Sequence, residues 1–273
     1  MKGKLIFLDV DGTLTQPGGQ EPPESALRAI KRAQQLGHRV FPCSGRNYRM
    51  MEPLLKYGFD GCITSCGGYV FAGDEVLQDC PLTEEQRQRI VTLFAEGGAF
   101  LEMEAKDAAF IDEGAKKYLA DSGRNSDLLR MIKAVWEDLG PKAMDEYDGR
   151  PVYKMVFVSP GEESIAAARE ELGGELEFIL HDFSEPDCIF GEIVNRRFDK
   201  GSSARLVAGH FGCGMEDTVG FGDSMLDTGL IRAVGTSVCM DSGSPKLKEI
   251  SDMVCPSVDD DGIEWAFEKL GLI

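Results

Sequence analysis

Residues Leu5 to Thr15 read LIFLDVDGTLT, an apolar run that ends in two aspartates one residue apart and then Gly-Thr. Two carboxylates closing a buried strand repel each other, and desolvating them costs several kcal/mol unless a cation compensates. The pair is therefore either solvated turn chemistry or a metal holder. Further along, Ser44 and Gly45 follow a second apolar run, HRVFPC; Lys200 opens a helical stretch, FDKGSSARLV; and Asp223 follows TVGF. Ligands of a parallel sheet bind beyond the carboxyl ends of its strands. Three strand ends thus deliver Asp9, Asp11, Ser44 and Asp223 to one edge, with Lys200 in reach. Mg2+ takes near-octahedral oxygen ligands, commonly one or two carboxylates with waters and substrate phosphate. Asp9 and Asp223 suit it as carboxylate donors, and Asp11 through its backbone carbonyl. Such an ion relieves the repulsion and draws a phosphate in. A carboxylate can attack phosphorus to give an aspartyl-phosphate. A second carboxyl can protonate the leaving oxygen and then take a proton from water. The Lys200 ammonium and the Ser44 hydroxyl can hold the equatorial oxygens as charge spreads over them.

The elements that position these groups alternate. KLIFLDV reads as a strand and PESALRAIKRAQQLG as an amphipathic helix, with Ala26, Leu27, Ile30 and Ala33 at helical spacing and Gly37 as its stop. HRVFPCS is a second strand, Arg49 to Lys56 a short helix despite Pro53, and GCITSCGG a third strand ending in glycines. The tail repeats the rhythm: KGSSARLVAGHFG helix, TVGFGDS strand, SMLDTGLIRAVG helix, TSVCM strand, SPKLKEIS helix, DMVCPS strand, DGIEWAFEKLG helix. Strands alternating with helices predict right-handed βαβ units and a mostly parallel sheet. The middle differs. TEEQRQRIVTLFAEGG is helical, AFLEMEAKDAAFIDEG is two strands around Lys106-Asp107, and Ser126 to Leu139 is helical. VYKMVFVSP is a strand, EESIAAAREELGG a helix, and LEFILHDF and CIFGEIV paired strands. That pattern predicts an antiparallel sheet with helices on one face. The expectation is an α/β chain with a discontinuous Rossmann-like core, residues 1–82 and 188–273, and an inserted α+β domain, residues 83–187.

Composition narrows the classes. The 273 residues are 42% hydrophobic and 28% charged, ordinary for a globular protein. Net charge is −18 and pI about 4.6, with no basic stretch, which argues against nucleic acid or an anionic membrane as partner. The N-terminal apolar run is too short for a signal peptide or a membrane span, so a cytoplasmic protein is expected. Eight cysteines are scattered without a CxxC pair; reduced core thiols fit better than zinc or a redox function. His38, His181 and His210 are isolated and receive no role. Met50, Met51, Phe94, Trp136 and Phe157 read as core. Asp259-Asp260-Asp261 lacks the alternating spacing of a calcium loop and reads as a solvated helix start.

DVDGTLT, Asp9 to Thr15, resembles the first motif of the haloacid dehalogenase superfamily. CSGR, Cys43 to Arg46, resembles its second motif in the Cof-type branch, DKG around Lys200 its third, and GDSMLD, Gly222 to Asp227, its fourth. All four occur in order across nearly the whole chain. The resemblance implies Asp9 as nucleophile and Asp11 as acid/base. It implies Ser44, Gly45, Arg46 and Lys200 around the phosphoryl group, and Asp9, Asp11 and Asp223 around Mg2+. Asp227 would ligate the metal or steady Lys200, and Arg46 would touch substrate or cap a surface. Two acids in the first motif favour phosphoryl transfer over dehalogenation, because a haloalkanoate needs no leaving-group proton. The long stretch between Ser44 and Lys200 resembles a C2 cap, which would close over the site and choose the substrate. The tail, with its Ser-Val-Asp-Asp-Asp-Gly run, also resembles that branch. Leu226 and Cys66-Gly67-Gly68 depart from the family pattern, where Asn stands before the last motif aspartate and Asn-Gly follows the third strand.

The resulting expectation is a Mg2+-dependent phosphatase of small phosphorylated metabolites, monomeric or homodimeric. Its rivals are a phosphomutase acting on hexose phosphates and a non-catalytic regulatory protein of the same fold. Ser-Gly-Arg in the second motif favours hydrolysis, and a dead site has no physical reason to keep Asp9, Asp11, Ser44, Lys200 and Asp223 together.

Overall fold

The computed structural model describes residues 3–121, 140–181 and 188–273. The helix expected over Ser126–Leu139, with Trp136, and the end of the LEFILHDF run lie outside the described residues. The chain divides into two compact units. The first opens with β1 (Leu5–Leu8), α1 (Glu24–Gln35), β2 (Arg39–Pro42), α2 (Tyr48–Leu55), β3 (Gly61–Thr64), β4 (Tyr69–Ala72) and β5 (Glu75–Asp79). The second follows with α3 (Glu84–Gly97), β6 (Phe100–Ala105), β7 (Ala109–Ile111), α4 (Glu113–Asp121), β8 (Lys142–Ala143), β9 (Val152–Ser159), α5 (Glu163–Leu172), β10 (Leu176–Leu180) and β11 (Ile189–Asn195). The chain then returns to the first unit with α6 (Lys200–His210), β12 (Thr218–Gly222), α7 (Thr228–Ala233), β13 (Thr236–Met240), α8 (Pro245–Ile250), β14 (Met253–Cys255) and α9 (Gly262–Lys269).

The first unit is built on a parallel five-stranded sheet, ordered β14-β13-β12-β1-β2. Successive side chains of a strand point to opposite faces, and both faces of β1 are covered. Ile6 and Leu8 pack with α1 and α9; Leu5 and Phe7 pack with α6 and α7. A strand buried on both sides needs an apolar run, which is why LIFL carries no polar residue before Asp9. β3 departs from the expectation of a third parallel strand. It starts a separate antiparallel sheet, β3-β4-β5, and meets the parallel sheet through a parallel Cys43–Ile63 bridge and a bond from the Asp60 N–H to the Val40 carbonyl. The chain turns back within a few residues of Thr64, too few for a crossover, so β4 pairs with β3 antiparallel and the hairpin draws β3 into its own sheet.

The second unit has a six-stranded sheet, ordered β10-β11-β9-β6-β7-β8, antiparallel except that β8 joins β7 in parallel. Ile90, Phe94, Ile165 and Leu172 of α3 and α5 pack on Met103, Met155 and Phe157 of one sheet face. The units part at 79/80 and 197/198, with residues 47–50 grouped with the second. The second division falls ten residues beyond the expected 187/188, because β11 pairs with β9 and β10 and so belongs wholly to the antiparallel sheet.

Candidate active site

The parallel register places the acidic residues. Leu8 lies opposite both Pro42 and Phe221, so the residues after β1, β2 and β12 emerge at one sheet edge. The Asp9 N–H still donates to the Phe221 carbonyl at 3.0 Å, which fixes the Asp9 backbone against β12. Asp223 follows two residues past Phe221. The Asp199 carboxylate caps α6 by accepting from the Ser202 N–H at 2.6 Å, and Lys200 is the first residue of that helix.

Lys200 Nζ lies 2.5 Å from Asp9 Oδ1 and 2.6 Å from Asp227 Oδ1, with all three side chains buried. Asp227 sits on a short helical turn, Met225–Asp227, before α7. Its other oxygen, Oδ2, accepts from the backbone N–H groups of Asp223 and Ser224 at 3.0 and 3.1 Å. Both Asp227 oxygens are thus committed, one to steadying Lys200 and one to holding the loop that carries Asp223. Of the two roles expected for Asp227, this geometry supplies the steadying one. Burial, then the nearby Asp227 carboxylate, raises the Asp9 carboxyl well above the usual range, with Lys200 pulling the other way. Burial and Asp227 push Asp223 up to about 6. Burial works against the Lys200 charge, but Asp227 and Asp9 outweigh it and raise the ammonium well above its ordinary value.

These residues fit a divalent cation. Among the described residues, Asp9, Asp223 and Asp227 offer carboxylate oxygens all within 4.8 Å of one another. Among the described residues, Asp223 Oδ1 is buried with no hydrogen-bond partner. Gly12, at φ 82°, lets the Asp223 carboxylate approach the turn after β1 closely: a Cβ there would stand 2.5 Å from Asp223 Oδ2. Hard oxygen donors with surplus negative charge match Mg2+.

Asp11 faces elsewhere. Its carboxylate takes two hydrogen bonds from Arg46, Nε at 2.9 Å and Nη2 at 2.6 Å, and one from the Gly18 N–H at 2.7 Å. Arg46 Nη2 also donates to the Gly19 carbonyl, tying Asp11 to the short flap that ends there. The Arg46 fork therefore meets a carboxylate of the protein, a partner that the spacing in sequence does not reveal. Ser44 is buried, its Oγ accepting from the Arg46 N–H at 3.1 Å, and Gly45 lies in the same loop. Sequence reasoning missed the close approach of Asp223 to Gly12 and the Asp11–Arg46 pair; the Asp-Gly dipeptide was the available signal for the first.

A family model described as haloacid dehalogenase-like hydrolase matches residues 6–267. The chain belongs to this family. It is 30% identical to "Putative phosphatase YkrA" of Bacillus subtilis strain 168 over the full length of both chains. It is 24% identical to 5-amino-6-(5-phospho-D-ribitylamino)uracil phosphatase YwtE of the same organism, over 98% of each. The fold is shared with a protein from Geobacillus kaustophilus HTA426, at TM-score 0.81 and 24% identity over 99% of this chain and 100% of that one. It is also shared with the subclass IIB sugar phosphatase BT4131, at TM-score 0.78 and 22% identity over 99% and 100%. The four motifs that resembled this family thus belong to a hydrolase with a parallel core sheet and a separate antiparallel sheet.

Proposed function

We propose that the protein is a Mg2+-dependent phosphatase that hydrolyses small phosphomonoesters, sugar phosphates or similar, through an aspartyl-phosphate on Asp9. The observation that carries this reading is the placement of Lys200 Nζ on both Asp9 and Asp227 beside an unpartnered Asp223 oxygen. A cation and a metal-ready carboxylate flanking one nucleophilic carboxylate are what a transferring phosphoryl group requires. Relatives named as phosphatases support the reaction class.

Asp9 would attack phosphorus while the ester oxygen leaves with a proton from Asp11, which would first have to turn from Arg46 and take up that proton. Water would then attack the aspartyl-phosphate, giving its proton to Asp11 and regenerating the Asp9 carboxylate. Lys200 Nζ and Ser44 Oγ would hold the non-bridging oxygens. Asp227 keeps the ammonium directed at Asp9. Mg2+ would be held by Asp9, Asp223 and the backbone carbonyl of Asp11, and when bound it supplies positive charge for the phosphate oxygens. The test is phosphate release from a panel of small phosphomonoesters, with Mg2+ and with EDTA, by wild type and Asp9→Asn. Mg2+-dependent release that the variant lacks is the expected result. Conversion of a hexose 1-phosphate to the 6-phosphate without free phosphate would point to a mutase instead.

A further inference from the structure

Ser65, Cys66 and Gly67 adopt φ values of 50°, 57° and 106°, three consecutive residues with positive φ. Two of them carry a Cβ, and such conformations persist only where the surroundings over-determine them. The surroundings here are the elements that carry Ser44 and Lys200. On one side, the Ser65 N–H donates to the Arg46 carbonyl at 2.8 Å and the Cys66 N–H to the Ser44 carbonyl at 3.0 Å. The Ser44 N–H in turn donates to the Ile63 carbonyl at 2.9 Å, so the Ser44 loop is tied to β3 and its turn through three backbone bonds. On the other side, Gly67 presses on the start of α6. A Cβ there would stand 2.3 Å from Ser203 Oγ, 3.2 Å from the Phe198 ring and 3.3 Å from the Asp199 carbonyl oxygen. Ser203 lies one turn after Lys200, and Asp199 caps the helix. Ser203 Oγ is buried without a hydrogen-bond partner among the described residues, so close contact, not bonding, sets this distance. Gln78 Nε2 donates to the Gly67 carbonyl at 2.5 Å and fixes the turn from β5.

We infer that the left-handed turn Ser65–Gly67 is a positioning element that sets the spacing between Ser44 and Lys200, and so the affinity for a phosphoryl group. The inference rests on the proposed role of those two residues. Its test is titration calorimetry of the full chain with inorganic phosphate in the presence of Mg2+, read beside the melting temperature. Gly67→Ala is expected to weaken phosphate binding about tenfold. Gly58→Ala is the control: Gly58 also has positive φ, at 82°, but a Cβ there meets nothing within 4 Å. It should lower the melting temperature and leave phosphate affinity unchanged. If Gly67→Ala does not fold, Cys66→Gly decides. By relaxing the turn without adding an atom, it should weaken phosphate binding about threefold with no loss of melting temperature. Wild-type affinity in Gly67→Ala or in Cys66→Gly, or an equal loss in Gly58→Ala, would overturn the inference. A wild-type chain that binds no phosphate would strike the proposed function itself, and the inference with it.

Discussion

Lys200 and Lys154 are both buried, and each lies between two carboxylates. In the antiparallel unit, Lys154 Nζ is 3.3 Å from Glu104 and 3.2 Å from Glu192, residues on the strands flanking its own. There the two acids respond in opposite directions. Burial raises Glu104, whereas Lys154 and His181 outweigh burial at Glu192 and hold it down to about 2. In the parallel unit the Lys200 contacts are shorter, 2.5 and 2.6 Å, yet Asp9 and Asp223 both stay raised. The first lysine largely satisfies one of its acids; the second does not satisfy its set. The difference is position. Cross-strand neighbours on a sheet face let a lysine meet two acids, while strand ends converging on one edge bring a third carboxylate that shares Lys200 with Asp9 and Asp227. That shortage is what a metal ion would relieve.

The largest expected effect removes the group that distinguishes the parallel site. Asp9→Asn should lower turnover by about 10⁴-fold or more, as loss of a nucleophile does. Melting temperature should hold or rise, because one of three crowded carboxylates is gone. Steady-state phosphate release and a thermal melt measure both, and wild-type turnover in the variant would refute the nucleophile assignment.

The next pair of variants tests the comparison directly. Lys200→Met and Lys154→Met each strand buried carboxylates, so each should cost about 3 kcal/mol of stability in denaturant titrations. Only Lys200→Met should also lower kcat/KM on a small generic ester, by about 10³-fold. Equal catalytic losses in the two variants would erase the distinction drawn between the clusters.

How much of this was legible in the sequence depends on range. DVDG, GDSMLD and the Lys after FD are local patterns, and the alternation of strands and helices fixed the edge at which they gather. The mostly parallel sheet and the antiparallel second sheet followed from the same periodicity; the order of the strands did not. What stayed hidden was set by contacts between distant segments. Arg46 meets Asp11 across 35 positions, and β3 turns back into a hairpin because of the left-handed turn after Thr64, which Ser65 and Cys66 do not advertise as Gly or Asn would. The boundary near 197 was hidden for the same reason, since only strand pairing reveals which sheet β11 joins.

A smaller effect separates the two clusters by pH. Asp223 has a folded value of about 6 against an ordinary 3.8, so its contribution to stability is full below about pH 4 and lost as pH rises through 6. In EDTA, the protein should lose about 2 kcal/mol between pH 4 and pH 7 from this group, a loss absent from Asp223→Asn. Mg2+ should restore it, stabilising more at pH 7.5 than at pH 5. Glu192, held down to about 2, has the opposite sign: its contribution is present above about 4.5 and fades as pH falls toward 2, with or without Mg2+. Melts at pH 5 and 7.5 in EDTA and in Mg2+ read the first behaviour, and an Mg2+ effect independent of pH would count against the metal assignment.

The smallest effect concerns Arg46, which the family resemblance put at the substrate or at a surface cap and the geometry pairs with Asp11. A lysine at this position keeps the charge but loses the planar fork that grips both Asp11 oxygens. If Arg46 acts by positioning Asp11, Arg46→Lys should lower kcat about tenfold and leave the inhibition constant of inorganic phosphate unchanged, since phosphate alone needs no leaving-group proton. If Arg46 instead binds the phosphoryl group, that constant should rise while kcat at saturation changes less. Because Lys154 pairs with Glu104 and Glu192 while Arg46 pairs with Asp11, combining Arg46→Lys with Lys154→Met should give additive losses of stability, whereas combining it with Asp11→Asn should add almost nothing to the loss of kcat. A full additional tenfold in that second pair would separate Arg46 from Asp11 and return it to the phosphate.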